Sequence, residues 1–179
     1  DDFYKTKIER EFLSKENHSL LMIRGVPGTH DLNMMLSFFK KIKAKNFKKI
    51  KFPKFNKAID DRYIKKEWNT VNSKPDIIIF EGWCVGAKHQ KYKQLIRPIN
   101  SLEREFDKNF KWRKFVNLQL KEKYKKLFKQ IDYHLYLKAN NFNTLQKWRT
   151  KQEKKLFINN KNKKNHKIMK KKDVLIFMQ

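Results

Sequence analysis

The chain has 179 residues, enough for one domain with a sizeable core, and its single cysteine, Cys84, excludes an internal disulfide. No apolar run approaches the ~18 to 20 residues that span a bilayer, and Asp1 to Thr6 carry neither region of a signal peptide, so a reducing, cytoplasmic setting is expected. The formal charge of +27 comes from 45 basic residues, but only seven are Arg and the Lys are spread along nearly the whole chain. That distribution argues for a solvated lysine surface and against a nucleic-acid face, which would concentrate bidentate Arg in one stripe.

The first informative stretch is "HSLLMIRGVPGTHD" (18–31), a short apolar piece followed by a turn. Thr29 is placed to cap a helix, with Asp31 in its first turn where the dipole favours negative charge. Leu32, Met35, Leu36, Phe39 and Ile42 recur at helical spacing, which predicts a helix over 30–45 burying one face. Ile50, Phe52 and Phe55 alternate around Pro53, the pattern of a short edge strand or hairpin.

Ile77 to Phe80 then run without a break into Glu81 and Gly82, as in a strand buried on both faces of a parallel sheet. Ligands of such sheets sit outside the carboxyl ends of the strands, so Glu81 is a candidate to hold a metal or substrate group; the alternative is a cap on a following helix. Beyond Pro98 a long helical region carries Leu120, Tyr124, Leu127, Phe128 and Ile131 in one stripe. "DYHLYLK" (132–138) alternates as a second sheet strand, and Asn143 or Thr144 can cap a helix bearing Leu145, Trp148 and Leu156. Residues 159–172 are too polar to pack and read as a mobile basic loop within a single domain, 1–179; they lack the interleaved aromatics that base stacking needs. "DVLIFMQ" turns apolar and stops, and "DDFY" opens with no strand before it, so a chain cut at both ends is expected.

"DDFY", "RGVPGTHD", "FPKFNKAIDDR", "FEGWCVGA", "WRKFVN" and "WRTKQE", in that order, resemble the D-glycerate 3-kinase family, in the uridine kinase, phosphoribulokinase and pantothenate kinase branch of P-loop enzymes. The resemblance implies an α/β fold: a doubly wound parallel sheet with helices on both faces. It also implies Mg²⁺-assisted transfer of the γ-phosphoryl of ATP to a hydroxyl of D-glycerate. One departure is decisive. No G-x-x-x-x-G-K-[ST] occurs, and "GVPGTHD" lacks the Lys that reaches the β and γ phosphates. In the family that loop lies upstream of "DDFY", across a unit of ~30 or more residues, so the expectation is a fragment lacking its first βα unit and inactive alone.

The resemblance also implies roles for particular residues. Asp1 matches the acid that takes the acceptor hydroxyl's proton, with Asp2 beside it, and Glu81 the acid near Mg²⁺. Gly82 would allow close backbone approach to a bound cofactor at that turn, or else only a left-handed conformation. Arg24, Thr29, His30 and Asp31 border the acceptor pocket, although a turn with a helix cap explains Thr29 and Asp31 equally well. Lys57 and Arg62 lie in the hairpin over the acceptor, where Asn56 replaces a usual Asp; Arg62 could instead pair with Asp60 or Asp61. Arg149 resembles a lid arginine closing over the transferring phosphates, or else pairs with Glu153 four positions on. The alternatives are a uridine- or pantothenate-type kinase with another acceptor, and a non-catalytic basic nucleic-acid-binding protein on a kinase-like scaffold.

Overall fold

A computed structural model of the chain describes residues 1–159. Helix α1, Lys7–Glu16, begins at a capping box: the Thr6 N–H donates to Glu9 Oε2 at 2.7 Å, and the Glu9 N–H returns to Thr6 Oγ1 at 3.3 Å. One 3₁₀ turn, Ser19–Met22, leads into the 23–31 turn. Helix α2, Leu32–Ile42, buries Leu32, Met35, Phe39 and Ile42, the face expected from the spacing. Its cap differs from expectation. Asp31, not Thr29, is the N-cap and accepts the Met34 N–H at 3.0 Å. The Thr29 hydroxyl donates to the Val26 carbonyl and accepts the Gly25 N–H, closing the preceding turn.

Strands β1 (Ile50–Phe52), β2 (Phe55–Asn56), β3 (Asp61–Arg62) and β4 (Asn69–Val71) form two antiparallel pairs, β1 with β4 and β2 with β3. Pro53 sits between β1 and β2, where no ladder N–H is required.

The two runs expected as buried sheet strands, 76–80 and 132–138, are not strands here. Ile77 and Ile79 are 81% and 89% exposed, and Tyr133 and Leu135 are 93% and 89% exposed. A strand exists only through its ladder, and no described segment pairs its backbone with either run. Of the first run, Phe80 is anchored, edge-on to Phe39 with ring centroids 5.3 Å apart.

Helix α3 (Tyr92–Ile96) precedes Pro98, and the helical region after that proline is broken into pieces: α4 (Ser101–Phe106), α5 (Lys111–Gln119), a π-helical turn (Leu120–Tyr124) and α6 (Lys125–Phe128). The break before α5 is organised by buried Asp107, which accepts the Trp112 and Arg113 N–H groups and the Arg113 guanidinium. Helix α7, Phe142–Asn159, has Asn141 rather than Asn143 or Thr144 at its start; Asn141 Oδ1 accepts the Thr144 N–H. The loop expected over 159–172 lies, from residue 160, outside the described residues, as does "DVLIFMQ". One core joins the α2 face to Cys84, Tyr124 and Leu127, with Phe3, Phe80 and Phe128 against it. The Gly28 N–H, donating to the Tyr124 hydroxyl at 3.0 Å, ties the 23–31 turn to the π-helical turn.

Candidate active site

The site is built on the tip of the β2–β3 hairpin and the 23–31 turn. Asp60 adopts φ 59°, and its carboxylate binds two arginines. Arg10, fully buried, donates to Oδ2 at 3.1 Å and to the Met22 carbonyl at 2.7 Å. Arg24 bonds Oδ1 and lies over the Phe55 ring, 5.4 Å from its centroid. Arg24 is thereby held in place, sharing one carboxylate with Arg10, with a partly exposed fork.

Lys57, on the same hairpin, pairs with the Asp1 carboxylate. Burial pushes the Lys57 ammonium below its ordinary range, Arg24 and Arg149 push it further, and Glu81 and Asp2 oppose them. Charges from four other segments of the chain therefore lie within electrostatic reach of one ammonium. Arg149, on α7, is ion-paired to Glu153 at 2.6 Å and donates to Gln152 at 3.0 Å. The Trp83 indole N–H donates to the Gly25 carbonyl at 3.0 Å, tying the segment after Glu81 to the 23–31 turn.

His30 lies on the inner side of this group. Its ring stacks on Tyr4 with centroids 4.4 Å apart, and its Nδ1 is 2.6 Å from the Tyr124 hydroxyl. Burial pushes it down to about 4, so the ring is neutral near pH 7. The Tyr124 hydroxyl also accepts the Gly28 N–H at 3.0 Å, and burial pushes its pKa up.

The structure thus gathers Asp1, Arg24, His30, Lys57, Glu81 and Arg149 from the expected set. The polar atoms of four others are taken up by the fold. Asp2 accepts the Phe55 N–H at 3.0 Å, Thr29 closes its turn, and Asp31 caps α2. Arg62 donates to the Tyr4 carbonyl at 2.7 and 3.2 Å, with Asp31 3.6 Å away, rather than pairing with Asp60 or Asp61 as the surface alternative had it. Gly82 is exposed, with Val85 as its near neighbour. Phe55 and Tyr124 were not singled out as site residues from the sequence, and Asp60 was named there only with Lys57, Asp61 and Arg62 in the hairpin, from which Arg62 was preferred. The Tyr124 hydroxyl was hidden because Tyr124 fits an apolar stripe. Two hollows against α2 and β1, each lined in part by Lys41, Lys49 and Ile50, contain none of these residues.

No family model matches the chain. Over 161 residues it is 29% identical to the uncharacterized kinase mug58 of Schizosaccharomyces pombe and likewise to the chloroplastic D-glycerate 3-kinase of Arabidopsis thaliana. These alignments cover 86% of the chain but 57% and 33% of the two relatives. Its fold matches the solved D-glycerate 3-kinase of Cryptococcus neoformans var. grubii with a TM-score of 0.79 and 25% identity, over 99% of this chain and 63% of that one. By sequence and fold, this chain is similar to D-glycerate 3-kinases. The solved YGR205w protein shares the fold, with a TM-score of 0.69 and 24% identity over 99% of this chain and 60% of that one.

Glu81 offers hard carboxylate oxygens of the kind Mg²⁺ accepts. Among the described residues no cluster of three or more His, Cys, Asp or Glu could hold a metal. Mg²⁺ needs no such cage, because one or two carboxylates complete its shell together with waters and phosphate oxygens. Glu81 is an exposed carboxylate beside the turn that Trp83 holds. Among the described residues no helix is long and apolar enough to cross a membrane.

Proposed function

We propose that the full-length protein containing this chain is an ATP-dependent, Mg²⁺-requiring kinase that phosphorylates a hydroxyl of D-glycerate. The observation that carries this reading is the gathering of acidic and basic groups around Lys57, in a chain related to D-glycerate 3-kinases. The runs 76–80 and 132–138 would be strands of a doubly wound parallel sheet, paired by a strand–loop–helix unit outside these residues that also cradles the ATP phosphates.

Phosphoryl transfer is mostly positioning and neutralisation of charge. Asp1, held by its ion pair with Lys57, accepts the acceptor hydroxyl's hydrogen bond and removes its proton late. Arg24, held by Asp60 and Phe55, offers its exposed edge to the acceptor carboxylate. Lys57 adds a second cation, and Arg149, steadied by Glu153, counters charge on the transferring phosphoryl group. Glu81 would be the protein carboxylate that holds Mg²⁺. The bound metal supplies charge neutralisation at the phosphate oxygens.

The test is ADP release by the full-length protein with an acceptor panel of D-glycerate, L-glycerate, uridine and pantothenate. Turnover dependent on D-glycerate is expected. Turnover of uridine or pantothenate alone would replace the acceptor, and steeply salt-dependent nucleic-acid binding without ADP release would replace the enzyme reading.

A further inference from the structure

The contact between Tyr124 and His30 determines which nitrogen of the imidazole carries the proton. Tyr124 is 2% exposed, so its hydroxyl must find its hydrogen-bond partners within the protein. One lone pair accepts the Gly28 N–H, and the hydroxyl proton has His30 Nδ1, 2.6 Å away, as its acceptor. Were Nδ1 protonated, the hydroxyl proton would be buried with no acceptor among the described residues. Nδ1 is therefore the acceptor, and a neutral ring then carries its hydrogen on Nε2. Nε2 has no hydrogen-bond partner among the described residues, and it is not sealed from solvent. Tyr124 ends the π-helical turn 120–124, a local widening of the helix of the kind often found at functional sites. Stacking on Tyr4 fixes the plane of the ring.

We propose that Tyr124 is a positioning residue that fixes His30 as its Nε2–H tautomer, so that the ring offers the acceptor site a hydrogen-bond donor and no base. The proposal rests on the kinase reading and deepens it. A carboxylate-bearing acceptor calls for donors, and a ring with no free basic nitrogen leaves proton removal to Asp1.

The test begins with ¹⁵N-histidine NMR of the unliganded full-length protein at neutral pH. His30 is expected to show a pyridine-type Nδ1 and a pyrrole-type Nε2; the reverse assignment, or a doubly protonated ring, overturns the proposal whether or not D-glycerate is a substrate. Tyr124→Phe removes only the hydroxyl. It is expected to shift the His30 signals toward a tautomer mixture and to raise KM for D-glycerate about 10-fold with a smaller effect on kcat. Unchanged signals with unchanged KM would overturn it. His30→Gln, which keeps an N–H donor at that end of the side chain, should retain more affinity than His30→Ala; equal losses would remove the donor role. If D-glycerate is not turned over while the expected tautomer is seen, the acceptor assignment fails and the Tyr124–His30 relation stands.

Discussion

Arg10 and Asp60 form an ion pair that ties α1 to the tip of the β2–β3 hairpin, 50 residues along the chain. Arg10 is fully buried, so its charge depends on that carboxylate and on the carbonyls of Lys5 and Met22. Asp60→Asn keeps a side chain tolerant of positive φ but leaves a buried cation without its counter-charge. Removing one partner of a buried pair costs about 3 to 5 kcal/mol. Urea unfolding of the full-length variant should show a loss of this size, and an unchanged midpoint would mean that the carbonyls suffice.

Gly28 sits at φ +107°, and a Cβ there would meet the Phe115 ring at 2.5 Å. Gly28→Ala therefore adds backbone strain to overpacking, together about 2 to 4 kcal/mol. The same turn carries the amide that Tyr124 accepts, so the variant should also lower affinity for the acceptor. A thermal midpoint equal to wild type would contradict the packing seen here.

His30 gives a pH dependence whose sign can be worked out. Its folded pKa of about 4 lies below the unfolded value near 6.5, chiefly through burial, so the unfolded chain binds more protons between those values. Stability from this group is complete above about pH 6.5 and is lost as pH falls toward 4, by up to about 3 kcal/mol. Comparing the pH dependence of unfolding in wild type and His30→Gln isolates the effect. Parallel curves across that window would show that His30 is not buried as a neutral ring.

Asp1→Asn keeps the shape of the proposed base and removes its charge. In the full-length protein kcat should fall about 10²- to 10⁴-fold with ATP affinity nearly unchanged. Unaltered turnover would take Asp1 out of the mechanism.

Much of this arrangement was legible in the sequence, and the exceptions share a cause. The buried face of α2 and the Arg149–Glu153 pair follow from local spacing, and both are present. The α1 capping box was also written locally, as Thr6 and Glu9, but no apolar stripe drew attention to it. Ile77 and Ile79 have the composition of a central strand, yet burial is conferred by a partner, and no described segment supplies one. Asp60 looked like one of a surface pair of acids. Its role comes from a left-handed backbone conformation and from two arginines distant in the chain, neither of which spacing reveals.

The measurement that tests the central claim most directly is ³¹P NMR of the full-length protein with ATP, Mg²⁺ and D-glycerate. The account predicts that the γ-phosphate signal is replaced by a phosphomonoester coupled to a carbon-bound proton of glycerate, with one ADP formed per product. Loss of ATP only to inorganic phosphate, or no loss while D-glycerate is saturating, would contradict it.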